Sequence, residues 1–282
     1  MKIKKEIRIR DLILIQVIVF ILIVIIDVSL ELLTLRWFSY RYSEDISTLL
    51  IDIMTLFMLM IMIRPSREYI KSLFKDYKKC LNIKEIIGRY INSSIINMGL
   101  SYLLIGAFIF INVNIANEIL NTSSSQDMLY SGSIIINSIS IVIIAPILEE
   151  IIYRKVIFKR LAKKTNVVIG IILSSIIFGL CHASDSMVFA ILFGVILCVL
   201  YKKYNNILIP MSLHFFNNLM STILLLTSGT QDNREVITLV QQDSYGFLII
   251  GAIASIIGFY FYIRYIYKNR KYIANRKSNS FK

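Results

Sequence analysis

The chain has 282 residues, 56% of them hydrophobic, with a mean hydropathy of +0.69. Soluble domains run about 45–50% apolar, so these figures exclude a soluble globular protein and point to a polytopic membrane protein. A net charge of +13 could in a soluble chain signal nucleic acid, but no nucleic-acid-binding module accompanies it and no such partner is expected.

Apolar runs predict an all-α membrane bundle of about eight helices. They fall near 12–33, 46–63, 91–111, 131–153, 167–182, 187–201, 207–226 and 245–267. The first run follows Lys2, Lys4, Lys5, Arg8 and Arg10 in the manner of a signal peptide. Asp27 and Glu31 stand where a small-residue cleavage site would be, so an uncleaved helix is expected. Segment 64–90 is basic and amphipathic in places, which suits a helix lying on the inner membrane surface. The loop 112–130 is polar and lacks Lys and Arg, as a solvated outer connection would. Runs 167–182 and 187–201 are short and joined only by Ala183-Ser184-Asp185-Ser186. Such a hairpin would stop before the outer face and hold His182 at membrane depth. The basic tail after Arg264 reads as a stop-transfer anchor.

Charge placement orients these helices. Five cations precede the first, eight lie in 64–90, six in 154–164, two at Lys202 and Lys203, and seven from Arg264 onward. Only Arg36, Arg41 and Arg234 fall on the opposite side. Lys and Arg accumulate on the cytoplasmic side, so both termini are expected in the cytoplasm, in a multi-pass protein of the cell membrane. Cys80, Cys181 and Cys198 make an odd count and imply no disulfide framework. The expected organisation is helices one to three in 1–130, a catalytic core in 131–226, and an outer loop, last helix and tail in 227–282.

The chemistry concentrates in that core. The chain has only two histidines, in Phe178-x-x-x-His182 and His214-x-x-x-Asn218, and a third apolar stretch carries Glu149-Glu150-x-x-x-Arg154. Ionisable groups at membrane depth cost roughly 2.5–3.5 kcal/mol each on insertion scales, so they mark function more often than packing. At helical spacing Glu150 and Arg154 are neighbours that neutralise each other, while Glu149 points about 100° away and stays available for chemistry. Pro146 and Pro210 lie three and four residues before Glu149 and His214, where a kink would free a carbonyl and open space.

Two chemistries are compatible with these groups. Glu149 as general base, with His182 helping to hold the water, could hydrolyse a peptide bond while His214 and Asn218 donate to the oxyanion. Alternatively Glu149, His182 and His214 could ligate a catalytic metal such as zinc. Both require those three side chains to converge. No His-Glu-x-x-His helix and no Gly-x-Ser-x-Gly elbow is present. The sequence neighbours Cys181, His182, Ser184 and Asp185 point in different directions and do not form a triad.

From about Asn137 to Ser221, roughly a third of the chain, the sequence resembles the CAAX-protease and bacteriocin-processing membrane peptidases, also called the type II CAAX prenyl endopeptidase or Abi family. Its three motifs, Glu-Glu-x-x-x-Arg, Phe-x-x-x-His and His-x-x-x-Asn, stand intact. The resemblance implies that Glu149 and His182 activate water and that His214 and Asn218 bind the oxyanion or a metal. Glu150, Arg154 and Phe178 would support them. Lys155 occupies the position after the motif Arg where members commonly have Gly. Eukaryotic relatives trim prenylated CAAX tails, and bacterial ones are linked to peptide maturation, bacteriocin immunity or signalling. The Ile-, Lys- and Asn-rich composition suits a low-GC bacterium, so a peptide or small membrane protein is the expected substrate. The rival readings are a non-catalytic scaffold or immunity partner of the same fold, and a proton-coupled transporter, against which the lack of a visible inverted repeat counts.

Overall fold

A computed structural model describes residues 7–32, 40–111, 134–183, 185–228 and 244–274, and all regular structure among them is helical. The expected loop 112–130, Ser184, Arg36 and Arg234 lie outside the described residues. Helix α1 is Ile9–Leu32 and α2 is Tyr40–Ile63. They are followed by α3, Arg67–Cys80, and α4, Ile83–Ile111. A continuous helix α5 spans Ile134–Lys164. Then come α6, Val167–Leu180; α7, Met187–Tyr204; α8, Leu208–Ser228; α9, Ser244–Lys268; and the short α10, Arg270–Ile273.

Among the described residues five helices are long and apolar enough to cross a membrane, or six if the bent pair α2–α3 counts as one span. The sequence predicts eight. Helix α6, with 14 residues, is too short to be counted, and the expected first crossing corresponds to α1. The expected start of the third crossing at 91 moves to Ile83. Asn82 Oδ1 accepts the Glu85 N–H at 3.1 Å and caps the helix there, so its charged first two turns are helical rather than loop. Helix α5 likewise runs eleven residues past its expected end at 153.

The α2–α3 corner turns 108°, and its residues explain it. Arg64 adopts a left-handed φ of 42° while its N–H still bonds Met60 O, Pro65 cannot continue the helix, and Ser66 caps α3 by accepting from Tyr69 N at 3.1 Å. No residue of α3 is buried, and its Lys and Arg residues alternate with apolar ones, in keeping with the expected surface helix. It is tied to the bundle by three bonds: Tyr77 Oη with Ser212 Oγ, Asn206 Nδ2 to Leu73 O, and Lys155 Nζ to Tyr69 Oη.

Helix α7 is the hub. Buried residues make up 56% of its apolar window, against 28–33% in the other spans, and Ile196, Leu197, Cys198, Val199 and Leu200 are wholly enclosed. The largest helix–helix contact joins α4 and α9. There a Cβ at Gly99 would lie 2.6 Å from Ser255 Oγ, and one at Gly251 would lie 2.8 Å from Leu103 N, so the two backbones touch only because both positions are glycine.

Candidate active site

The site is built where α5 leaves ordinary α-helical winding. Ser140–Ile144 and Glu150–Phe158 are π-helical, with wider i→i+5 turns, and Pro146 and Glu149 fall in the α-helical stretch between them. In the first wide turn the Ala145 N–H goes to Ser140 O rather than to Ile141 O. The other donor that could reach Ile141 O is residue 146, a proline without an N–H. Asn218 of α8 takes that carbonyl instead, with Nδ2 donating to Ile141 O at 2.8 Å. Pro146 thus frees a carbonyl as its placement predicts. Pro210 does not: it lies in the first turn of α8, where no helical bond is lost.

The second wide turn brings neighbouring carboxylates to one imidazole. Glu150 Oε1 lies 3.1 Å from His214 Nδ1, and Glu149 Oε2 lies 3.6 Å from His214 Nε2. Glu150 Oε2 is 3.2 Å from Arg154 Nε, so the expected Glu150–Arg154 ion pair is present. Glu150 also reaches His214, so it spans the guanidinium and the imidazole together. Ordinary α-helical spacing does not anticipate two adjacent Glu side chains on one partner, which the looser winding after Glu149 brings about. Glu150 is fully enclosed, whereas the Glu149 side chain is 26% exposed.

Phe178 is the shared floor. Its ring carries the Arg154 guanidinium at 4.3 Å, meets Tyr153 edge-on at 5.0 Å, and lies 4.4 Å from the His182 ring and 5.9 Å from that of His214. A buried guanidinium whose nitrogens make no hydrogen bond among the described residues gains from this ring face as well as from Glu150. Gly194 of α7 permits the arrangement, since a Cβ there would lie 3.2 Å from Phe178 Cδ1.

The spacing Phe178-x-x-x-His182 predicts that both residues share a helix face. Helix α6 in fact ends at Leu180 and His182 follows it in a turn, where its N–H donates to Gly179 O at 3.0 Å. The ring folds back so that Nδ1 meets Phe178 O at 2.8 Å. A carbonyl only accepts, so Nδ1 is the donor in this contact and Nε2 is the ring nitrogen left for other partners.

Among the described residues no three His, Cys, Asp or Glu side chains gather as a metal site. Glu149 and His214 meet, but His182 does not join them in a three-ligand cluster.

Several residues of the site carry no advance signal in the sequence. Tyr153 and Phe193 pack on Phe178 and His214, and Ser174 Oγ donates to Tyr153 O at 2.9 Å. Ser140 Oγ donates to Asp52 Oδ2 at 2.8 Å, tying the first wide turn to α2. The one available hint was polar residues, Asp52, Ser140 and Ser174, inside otherwise apolar runs.

Comparison with known proteins places these residues in context. Residues 131–220 match the family described as Type II CAAX prenyl endopeptidase Rce1-like. Over 113 residues the chain is 35% identical to a protein of Bacillus subtilis (strain 168) named "Putative membrane peptidase YdiL". That alignment covers 40% of this chain and 46% of the relative, so the chain spans less than half of the curated protein it matches. No solved structure matches.

Proposed function

We propose, from the match of residues 131–220 to the Rce1-like type II CAAX prenyl endopeptidases, that this chain is a multi-pass endopeptidase of a bacterial plasma membrane with both termini cytoplasmic. Its substrate is a membrane-associated peptide or small protein, hydrolysed by activated water. The observation that carries this reading is the contact of Glu149 with His214, on the Phe178 ring that also carries His182.

Proton counting gives the mechanism. Arg154 is cationic, and Glu150, which accepts from His214 Nδ1, is ionised. Charge balance in the enclosed site then leaves one proton for Glu149 and His214 Nε2 together. That proton sits on either atom without changing the net charge. Glu149, the more accessible of the two, takes the proton of a water whose other hydrogen bond goes to the free Nε2 of His182. The positive charge of the His214 imidazolium and the second N–H of Asn218 stabilise the developing oxyanion, and the proton returns to the leaving amine. Phe178, Glu150 and Arg154 hold these groups in place.

The test is cleavage of a membrane-reporter peptide by the purified full chain. Glu149→Gln and His214→Ala should each lower the rate by ~10²-fold or more. Rates equal to the unmodified protein would overturn the reading. A chelator arm belongs to the same assay: loss of activity with chelator, restored by zinc, would replace the metal-free mechanism with a metal-dependent one.

A further inference from the structure

A second cavity, of about 520 Å³, opens at the end of the bundle where α4 begins and α7 and α9 finish, and shares no lining residue with the Glu149 site. Five cations line it: Lys84 and Arg89 from α4, Lys203 from α7, Arg264 and Lys268 from α9. A single carboxylate, Glu85, faces them, and it is already saturated. Lys203 Nζ donates to both its oxygens at 2.7 Å, Tyr265 Oη donates to Oε1 at 3.2 Å, and Tyr204 Oη donates to Oε2. The Arg89 guanidinium carbon lies over the Tyr265 ring, 4.3 Å from its centre, which holds the group at the wall. Lys84, Arg89, Arg264 and Lys268 therefore converge with no carboxylate at ion-pair distance among the described residues. Four cations sharing one recess repel one another unless an anion joins them.

We propose that this recess binds the phosphate of an anionic phospholipid in the cytoplasmic leaflet. The chemistry it offers, two guanidiniums and two free ammonium groups, matches a phosphate diester. Its setting favours a lipid over a soluble phosphate. Phe261 forms its outer rim and is 43% exposed, and Ile253, Ile257 and Tyr260 continue an apolar exposed face along α9 from there. A headgroup in the recess would run its acyl chains down that face. The recess also lies at the end where Lys and Arg accumulate, which is the side of the anionic leaflet.

The experiment uses delipidated full-length protein in detergent, with the thermal midpoint and native mass spectrometry as readouts, neither of which depends on peptidase activity. Phosphatidylglycerol should raise the midpoint and be retained as bound lipid, while phosphatidylcholine and inorganic phosphate should not. Arg264→Gln with Lys268→Gln should weaken phosphatidylglycerol retention by roughly tenfold or more. The charge-matched pair Lys78→Gln with Lys79→Gln, on the exposed face of α3, should leave it within about twofold. Equal protection by phosphatidylcholine, or equal loss in both double variants, would overturn the site. Protection by inorganic phosphate to the same extent would overturn the lipid assignment in favour of a soluble anion.

Discussion

Asn218 Nδ2 donates to Ile141 O at 2.8 Å because the two backbone donors that could have claimed that carbonyl are diverted or missing. A proline in one helix thereby positions an amide in another. Pro146→Ala restores a donor five residues after Ile141 and sets it in competition with Asn218. Cleavage should fall ~2–10-fold, with the thermal midpoint unchanged or raised. In an Asn218→Ala background, Pro146→Ala should have no further effect on rate. An additional loss there would show that Pro146 acts by some other route.

Glu149 and His214 are expected to behave as one unit, because Glu149 Oε2 lies 3.6 Å from His214 Nε2. Single variants Glu149→Gln and His214→Ala should each cost ~10²-fold or more, and the double variant should be little worse than either. Glu149 is the less enclosed of the two, so Glu149→Gln should cost less stability than His214→Ala, measured by thermal unfolding in micelles. Multiplied losses in the double variant would separate their roles.

Glu150 and Arg154 invite the opposite experiment. Arg154→Met leaves an enclosed carboxylate facing only His214 and should destabilise the protein by about 3–5 kcal/mol. Adding Glu150→Leu removes the stranded charge and should recover most of that stability. Activity should not return, since His214 has lost the carboxylate that fixes its Nδ1 proton. Denaturation and cleavage measured on the same preparations check both halves.

Phe178 supports four functional side chains at once. Phe178→Ala should cost about 3–5 kcal/mol through the cavity it leaves. Phe178→Leu keeps most of the volume but removes the ring face under Arg154, and should cost about 1–2 kcal/mol. Both should reduce cleavage by more than they reduce the folded fraction, because His182 and His214 lose the surface that sets their distance.

The helices were legible because hydropathy has a long range in sequence: α2, α7, α8 and α9 lie within a few residues of their predicted bounds, apart from the six extra residues at the start of α2. The bound at Ile83 moved to a local cap, Asn82, ahead of a charged first turn, and the one at Lys164 moved where Lys155 and Arg160 found partners elsewhere in the chain. For the site, residue types and order named the participants, and the Glu150–Arg154 pair follows from spacing. The pairing of His214 with both carboxylates could not be read, since it depends on winding that departs from 3.6 residues per turn. The place of His182 beyond the helix end was hidden for a similar reason: the apolar run ends two residues after the helix does. Tyr153 and Ile141 were invisible because their contribution is a carbonyl or a contact rather than a motif.

Helix α6 has 14 residues, which is ~21 Å of helix beside a hydrocarbon layer about 30 Å thick. Its outward face is Val168, Ile169, Ile172, Leu173, Ile176 and Leu180, all exposed and apolar, so lipid chains must meet it directly. Thinning around it is one way a bilayer meets so short a face. Local thinning would bring headgroups and water down toward His182 from one side while the remaining spans keep their ordinary depth. Acyl-chain length would then govern how far water reaches the His182 end of α6.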